Sequence, residues 1–460
     1  MSHPINPYIA GNPVGNTNAF VGRADILRDV VRVLRRPQDN AIVLYGQRRI
    51  GKTSVLQHLK AQLPTQGKYC PIYFDLQDKA TLTLGQVVSG LAQEIAYALK
   101  QTKPDLGDQP EITFQETWLL NVLQNLPKDL GDQPEITFRE TWLPNVLQNL
   151  PKDTALVLLF DEFDVLAAPQ AEQAGAAFFP YLRQLLSSDS QRLNFIFVIG
   201  RNVADLTNIA LSLFKGIDTK RVSLLKQEDT EKLVRLSEDN SSLNWPTEAV
   251  EYVWQRTNGH AFFTQQLCSH VWEQAYDEAP ETIPTATPEN IENVIFDALE
   301  SSRNTLEWLW DGLPPAERVV ASALAEAGPK PITESELEKL LHESGVRVVI
   351  RELQNAPRLL QDWDLLEPAD GGYRFRVELL RLWIEDNKPL KRVQEELERI
   401  NPAADSLYNA GLSLYRNGML DGTLAPLRQA VSLNPNHVGA NQLLADILLA
   451  QRQAGEVCER

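Results

Sequence analysis

Short runs of consecutive apolar residues alternate along the chain with segments in which apolar residues recur every three or four positions. Runs without polar interruption are typical of strands in a parallel sheet, because such strands are covered on both faces. The chain has four runs that are wholly or mostly apolar, 41–45, 71–76, 155–160 and 194–200, and a shorter one near 221–225. The periodic segments before and between these runs, such as 24–34 and 84–99, predict helices. We therefore expect an α/β domain with a mainly parallel sheet over 21–225.

The pattern changes after residue 225. Residues 226–304 contain only helical periodicity and predict a helical domain, with segments at 228–236, 247–257, 260–276 and 288–299. Residues 305–388 predict helices near 315–327, 334–341 and 346–353, a hairpin around Asp370-Gly-Gly372, and a helix at 377–384. Three helices followed by a hairpin suggest a winged helix. Residues 1–20, rich in Asn, Gly and Pro, predict an extended leader that lies on a domain.

The tail, residues 389–460, predicts a connector helix followed by 34-residue helical-hairpin repeats of the TPR type. Ala410-Gly411 takes the Leu-Gly place of that pattern, Leu427 the Phe place and Pro435 the final Pro. A second unit begins near Asn441. Because such repeats bury their faces against neighbours, we expect the tail to pack on the connector or to continue in a longer natural chain.

One loop carries the most specific chemical signal. Residues 46–53, GQRRIGKT, fit G-x-x-x-x-G-K-[ST] between a predicted strand and a predicted helix. The alternative is a glycine-containing turn with a chance Lys-Thr. In a phosphate loop, backbone N–H groups and the helix N-terminus hold the phosphates. Lys52 reaches the β- and γ-phosphates and Thr53 holds Mg²⁺. The predicted ATP contacts in this loop are Gly46, Arg49, Ile50, Gly51, Lys52, Thr53 and Ser54.

A second motif agrees with the first. The apolar run 155–160 leads directly into Asp161 and Glu162. Asp161 is placed to orient Mg²⁺ and Glu162 to polarise the water that attacks the γ-phosphate, so Lys52 and Glu162 are the predicted catalytic residues. We expect ATP or GTP binding, with slow hydrolysis.

Other positions leave alternatives open. Arg201, after the strand near 194–200, is predicted to sense the γ-phosphate; otherwise it is a surface arginine. Arg48 and Arg49 face a neighbouring subunit or solvent. Asp164 fixes the loop after its strand or caps a helix. His260 either has a structural role at the start of a helix or contacts the nucleotide.

Residues 105–128 recur as 129–152, with only Gln115 replaced by Arg139 and Leu120 by Pro144. The first copy places Phe114 and Trp118 on one apolar helical face, and Pro144 should delay or kink the helix of the second copy. Two units are too few to stack as a solenoid. The alternatives are a tandem duplication tolerated as a surface excursion and a dedicated partner surface.

Charge and composition limit the classes of partner that the chain is expected to bind. The net charge of −17 argues against a broad nucleic-acid footprint. Around the predicted winged helix, residues 311–385 hold 14 acidic and 9 basic residues. Arg347 and Arg351 nevertheless lie one helical turn apart, where a DNA-reading helix would place them. The three cysteines lack metal-ligand spacing and no apolar run has the length of a membrane span, so we expect a reduced cytoplasmic protein without a protein-bound metal beyond Mg²⁺.

Together these motifs resemble the STAND class of AAA+-like P-loop signal-transduction ATPases, in particular its bacterial and archaeal ATPases. The resemblance is carried by 20–23, 46–53, 158–164, 259–261 and 373–379, in that order. It implies a particular order of strands in the sheet, in which the strand that precedes Arg201 lies between the strand that leads to Gly46 and the strand that leads to Asp161. It also implies that Phe20 and Val21 lie by the adenine, and that the lid and winged helix close over the nucleotide.

The resemblance further implies a regulatory switch: a closed ADP-bound monomer that opens and forms a homo-oligomer when a protein or other ligand engages the repeats and ATP replaces ADP. Ala261 stands where the family's lid usually has proline. Because no effector domain is expected before the ATPase, we expect the output to come from a partner, from a missing C-terminal part or from the assembly itself. Two other hypotheses remain open, a DNA-associated AAA+ ATPase of the origin-recognition type and a scaffold with structural nucleotide.

Overall fold

The computed structural model describes residues 4–36, 39–66, 68–101, 130–151, 153–167, 172–189, 191–200, 213–277, 282–393 and 395–458. The chain forms two compact units. The first comprises Met1–Pro246 and Gly259–Ala286, and the second Thr247–Asn258 and Thr287–Arg460. The division passes through the stretch predicted as a helical lid, because Thr247–Asn258 and the residues from Thr287 onward belong to the second unit.

The first unit is built on a five-stranded parallel sheet. Its strands are β1 Ala41–Tyr45, β2 Tyr69–Asp75, β3 Ala155–Asp161, β4 Leu193–Ile199 and β5 Asp218–Arg221. Their order across the sheet is β2-β3-β4-β1-β5, with every neighbouring pair parallel. The strand inserted between those leading to Gly46 and Asp161 is β4, as expected from the resemblance. Strand β5 ends at Arg221, so the prediction of a strand over 221–225 is wrong by several residues.

Helices cover both faces of this sheet. The described helices, labelled along the whole chain, are α1 Ala24–Leu34, α2 Lys52–Gln62, α3 Leu84–Gln101, α4 Pro134–Thr137, α5 Leu143–Asn149, α6 Glu172–Leu186, α7 Gln227–Val234, α8 Leu236–Asp239, α9 Thr247–Thr257, α10 Ala261–Asp277, α11 Pro288–Ser301, α12 Arg303–Asp311, α13 Pro315–Glu326, α14 Glu334–Glu343, α15 Arg351–Asp362, α16 Glu378–Asn387, α17 Leu390–Val393, α18 Glu396–Arg399, α19 Pro402–Arg416, α20 Leu420–Leu433 and α21 Val438–Cys458. Among them, none combines the length and the apolar character that crossing a membrane requires.

Alternation along the strands separates two cores. Leu158 and Phe160 of β3 point to a core with α3, α5 and α6, whereas Val157 and Leu159 point to a core with α1 and α2. Successive side chains of a strand face opposite sides of the sheet, so a strand that is apolar at every position can bury both faces. This arrangement explains why β1, β3 and β4 read as almost uninterrupted apolar runs.

The second copy of the duplicated segment is part of a core. Its apolar side chains are buried against α3, α6 and the sheet: Phe138, Trp142, Leu143, Val146, Leu147 and Leu150. The interpretation of the duplication as a surface excursion is therefore wrong for this copy. The first copy lies outside the described residues.

Pro144 does not delay the helix of the second copy, which is already helical from Pro134; the helix type changes locally instead. A π-helical turn, Phe138–Trp142, joins α4 to α5, and the Leu143 N–H donates to the Phe138 carbonyl. Proline has no N–H and its ring collides with the carbonyl one turn earlier in an α-helix. The wider π turn precedes the proline and lets the segment continue as α5.

The two copies allow a matched test of which one fills this core. Phe138 is fully buried and stacks on Trp142 with 5.2 Å between ring centroids. We expect Phe138→Ala to lower the free energy of unfolding of the first unit by about 3–5 kcal/mol in urea titrations. The comparison is Phe114→Ala, the same change at the same place of the first copy; a smaller loss there would assign this core position to Phe138. Equal losses in the two variants would contradict assignment of this core position to Phe138 alone.

The described residues of the second unit form helices, one hairpin and an antiparallel bridge between Ile332 and Tyr373. Strands β6, Leu366–Ala369, and β7, Gly372–Phe375, pair antiparallel across the predicted turn. In the stretch predicted as a winged helix, α13 and α14 agree closely with the sequence prediction. The third helix is α15, so the prediction of a helix over 346–353 is wrong. Val346 to Ile350 precede α15 as irregular chain.

Helix caps in this unit follow the sequence. Thr287 caps α11 by accepting a hydrogen bond from the Asn290 N–H, and the Asn290 side chain accepts one from the Thr287 N–H in return. Thr333 and Glu336 form the same reciprocal pair at α14. Such pairs satisfy N–H groups that the helix leaves unpaired, and α11 begins at Pro288, the first residue of the predicted segment 288–299.

Candidate nucleotide-binding site

The loop between β1 and α2 has the backbone that a phosphate cradle requires. A Cβ on Gly46 would lie 2.2 Å from the Val222 carbonyl oxygen, and Gly51 has φ 102°. Only glycine fits the first position, and the second favours glycine because a side chain is strained at positive φ. Helix α2 begins at Lys52, directly after Gly51. The N-terminus of α2 therefore faces the inside of the loop, where it favours an anion.

Lys52 is buried at the centre of this loop. Its ammonium donates to the carbonyls of Gly46, at 3.1 Å, and Gln47, at 2.7 Å. Burial lowers the pKa of Lys52, and the nearby carboxylates of Glu162, Asp164 and Asp161 oppose that shift. A desolvated cation that is held by carbonyls alone binds an incoming phosphate strongly, because the surrounding dielectric is low.

Asp161 ends β3 with its carboxylate held from two neighbours. Oδ2 accepts a hydrogen bond of 2.9 Å from the Tyr73 hydroxyl, and Oδ1 accepts one of 3.0 Å from the Glu162 N–H. Burial raises the pKa of Asp161, while hydrogen bonds from the Thr53 and Tyr73 side chains lower it. Thr53 and Asp161, the predicted Mg²⁺ pair, thus lie close enough for Thr53 to lower the pKa of the Asp161 carboxyl.

Glu162 follows in an unusual backbone conformation, with φ 48°. Non-glycine residues adopt this left-handed region rarely, and such residues concentrate at functional sites. Burial raises the pKa of Glu162, Lys52 lowers it, and Asp164 and Asp161 raise it again. A carboxylate with a raised pKa is a better proton acceptor.

Asp164 ties two strand ends together. Its buried Oδ1 accepts a 2.8 Å hydrogen bond from the Gly200 N–H, directly after β4. Two roles were left open for Asp164, fixing the loop after its strand or capping a helix. This contact agrees with the first role. Arg201, the predicted γ-phosphate sensor, lies outside the described residues.

The two arginines of the phosphate loop, Arg48 and Arg49, differ in exposure and in contacts. Arg49 is exposed, and its guanidinium donates to the Gly11 carbonyl of the leader at 2.6 Å. Arg48 is half-buried and its charge lowers the pKa of both Lys52 and Glu162. Arg48 therefore lies on the side of the loop that carries the charged residues.

The leader packs along α2. The Val14 N–H donates to the Ser54 hydroxyl at 3.1 Å, and the His58 ring donates to the Gly15 carbonyl at 2.8 Å. A Cβ on Gly15 would lie 2.6 Å from the Ser54 carbonyl oxygen. The Ser54 hydroxyl is thus engaged by the leader. Near the beginning of the leader, the Tyr8 hydroxyl donates to the Val234 carbonyl at 2.5 Å.

The segment 20–23 lies against the start and the first turns of α2. Phe20 stacks on His58 with 4.1 Å between ring centroids. Arg23 donates to the carbonyls of Ile50, at 2.7 Å, and Ser223, at 2.5 Å. These contacts place Phe20 and the neighbouring Val21 beside the loop, where the resemblance expects the adenine.

His260 directly precedes α10 and is almost fully buried. Neither ring nitrogen has a hydrogen-bond partner among the described residues. Burial, and secondarily the charge of Arg23, lowers the pKa of His260 to about 3, so the ring is neutral. Buried polar atoms are ordinarily paired. A neutral ring with both nitrogens unpaired favours the ligand-contact alternative for His260.

The donors present fit a magnesium nucleotide. The glycine positions leave room that a Cβ would fill, Lys52 supplies the charge for phosphate, and the Thr53 hydroxyl and Asp161 carboxylate are oxygen ligands that Mg²⁺ prefers. Thr53 and Asp161 would hold the ion, which would neutralise charge on the phosphates.

Tyr73 is the site residue that sequence reasoning missed. It lies inside an apolar strand, where an aromatic residue ordinarily indicates core packing. The register pairs Asp75 with Asp161 and Tyr73 with Leu159. Tyr73 is therefore on the face of the sheet that Asp161 shares. Only strand pairing could have revealed it.

Comparison with known proteins agrees with this geometry. Residues 19–199 match the family described as AAA ATPase domain. The chain contains an AAA ATPase domain. The match runs from beside Phe20 to the end of β4 and so includes the phosphate loop, Asp161 and Glu162.

Among the solved structures that resemble the chain, a Walker-type ATPase has a TM-score above 0.5 and supports the fold. The Walker-type ATPase of Pyrococcus abyssi is 14% identical, with a TM-score of 0.56 over 81% of this chain and 98% of its own. Cdc6p from Pyrobaculum aerophilum is 15% identical, with a TM-score of 0.39 over 82% and 97% of the two chains. The RuvB branch-migration motor of Thermotoga maritima is 13% identical, with a TM-score of 0.38 over 77% and 92%. No curated protein sequence matches the chain.

Proposed function

We propose that the chain is a slow ATPase that works as a nucleotide-dependent switch of the STAND type. One observation carries the catalytic part of this proposal: Lys52, Thr53, Asp161 and Glu162 converge on the loop between β1 and α2. Phosphoryl transfer depends mainly on positioning and charge neutralisation, and these four residues supply both.

Each residue has a separate task in this proposal. Lys52 binds the β- and γ-phosphates, and Thr53 and Asp161 hold Mg²⁺. Glu162 orients the attacking water and accepts its proton, with its raised pKa favouring proton uptake. Arg201 senses the γ-phosphate. Phe20, Val21 and His260 contact the base side of the nucleotide.

The switch rests on what the chain adds to the ATPase domain. In our proposal, residues 226–304 form the lid and 305–388 a winged helix, and both respond to the bound nucleotide. ADP holds a closed monomer, and ATP favours a homo-oligomer once a protein or other ligand engages the C-terminal repeats. The low turnover that we propose would keep each state long-lived.

The packing of the tail supports its assignment to TPR repeats. A Cβ on Gly411 in α19 would lie 2.9 Å from the Leu427 side chain of α20. The repeat pattern calls for a small residue and a large apolar residue at these two places. Leu427 is fully buried. Antiparallel helices that approach this closely are typical of a helical-hairpin repeat.

Light scattering tests the switch directly. We expect the purified protein to be a monomer with ADP and a homo-oligomer with a non-hydrolysable ATP analogue, after any co-purified nucleotide is identified. Lys52→Ala, as a control, should keep one mass in both conditions. Identical wild-type masses with both nucleotides, together with nucleotide that never exchanges, would favour a scaffold with structural nucleotide.

DNA reading is the second candidate. The Arg347 side chain donates to Asn441 Oδ1 at 2.8 Å, and the Arg347 and Val348 N–H groups donate to Asn436 Oδ1. The tail therefore engages the residues before α15 that a DNA-reading helix would use. If the protein bound duplex DNA with an affinity that fell steeply with salt, the origin-recognition alternative would replace the switch.

A further inference from the structure

The carboxylate at the end of β3 has a neighbour whose function the motifs do not explain. Tyr73 is a half-buried residue of β2, and its hydroxyl donates to Asp161 Oδ2 at 2.9 Å. The other oxygen accepts from the Glu162 N–H. Each carboxylate oxygen of Asp161 therefore has its own donor, and they come from different parts of the chain.

We propose that Tyr73 is a positioning residue for the magnesium site: its hydroxyl fixes the Asp161 carboxylate in the orientation that meets Thr53 and the metal. This role rests on the proposed nucleotide function. Outer partners of a metal-binding carboxylate orient it and increase its affinity for the metal. A carboxylate at a strand end can rotate about its side-chain bonds, so one backbone N–H alone leaves part of that freedom.

The strand register makes this contact a consequence of the fold. Asp75 pairs with Asp161 across β2 and β3, and Tyr73 is two residues earlier on the same face. The ring of Tyr73 lies 5.7 Å from the Lys60 ammonium of α2, measured to the ring centroid. Tyr73 thus lies between the sheet edge that carries Asp161 and the helix that carries Thr53.

The same strand offers a matched control. Tyr69 is four residues earlier, on the same face of β2, and its hydroxyl donates to the Leu34 carbonyl at 3.3 Å. Tyr73→Phe and Tyr69→Phe each remove one hydroxyl and keep the ring. Only the first removes a hydrogen bond to Asp161, so a general effect of losing a buried hydroxyl would appear in both variants.

The experiment measures the affinity for a fluorescent ADP analogue, with Mg²⁺ and with EDTA. In wild type, Mg²⁺ should tighten binding. In Tyr73→Phe, we expect unchanged affinity in EDTA and a loss of about 10- to 100-fold in the gain that Mg²⁺ gives. Tyr69→Phe should retain the whole gain. Mn²⁺ binding to the ADP complex, followed by electron paramagnetic resonance, should weaken in parallel.

Two failures are distinguishable. If wild type binds the analogue and responds to Mg²⁺ but Tyr73→Phe responds equally, Tyr73 has no positioning role and the proposed function stands. If wild type binds no nucleotide, the proposed function fails and this role fails with it. An equal loss in Tyr73→Phe and Tyr69→Phe would also overturn the inference, because both changes would then act through the strand.

Discussion

Glu162→Gln should bind ATP as wild type does and hydrolyse it on the order of 100- to 10,000-fold more slowly, which is the usual contribution of a general base. The amide retains the size of the carboxylate but cannot accept a proton. Burial and the neighbouring acids raise the pKa of Glu162, so the wild-type carboxylate has a higher proton affinity than an exposed one. Single-turnover hydrolysis of radiolabelled ATP measures the step directly.

The proposed switch adds a second expectation for this variant. Because ATP persists in the site, Glu162→Gln should favour the assembled form in ATP without an analogue. Glu94→Gln, at an exposed position of α3, is the matched control and should hydrolyse normally. Hydrolysis by Glu162→Gln at the wild-type rate would falsify the assignment of the base.

Lys52→Ala should lose nucleotide binding. The variant removes the buried ammonium, which now donates to the carbonyls of Gly46 and Gln47. Loss of one partner from a buried charged hydrogen bond costs at least about 2 kcal/mol, or about 30-fold in Kd, and the cost is larger for a phosphate group that is left unpaired. We expect binding to fall below detection in calorimetric titration with ADP and Mg²⁺.

Thermal denaturation separates this effect from misfolding. A ligand that binds only the folded state raises the midpoint, so ADP should raise that of wild type and leave that of Lys52→Ala unchanged. Without nucleotide, Lys52→Ala should be at least as stable as wild type, since it removes a desolvated charge. Lys60→Ala, at an exposed position of the same helix, should respond to ADP like wild type. Retained ADP stabilisation in Lys52→Ala would contradict the role of Lys52.

Elements whose signals are local were predicted well. Helices α1 and α9 have the predicted bounds, and the runs of apolar residues became the buried strands β1, β3 and β4 within one residue at each end. The phosphate loop and the Asp161-Glu162 pair are each a contiguous stretch of sequence. The chemistry of each could therefore be recognised from the sequence alone. The structure places both at the carboxyl edge of one sheet, after β1 and β3, with β4 between these two strands.

Predictions that depended on packing were less accurate. The helix expected over 346–353 is α15, which begins at Arg351; the backbone of Arg347 and Val348 bonds to Asn436 of the tail instead. The second duplicated copy was expected on the surface and is buried, since periodicity shows that a face is apolar but does not show what covers it. Helix α12 was missed altogether.

The sequence by itself determined the phosphate-loop motif and the parallel sheet that carries it, because phosphate binding needs particular residues at fixed spacing along one loop. Only the tertiary structure decided which residues complete that site. Tyr73, the Asp164 contact to Gly200 and the leader along α2 join residues far apart in the chain. Strand register and helix packing create these contacts, and neither is encoded in any local pattern.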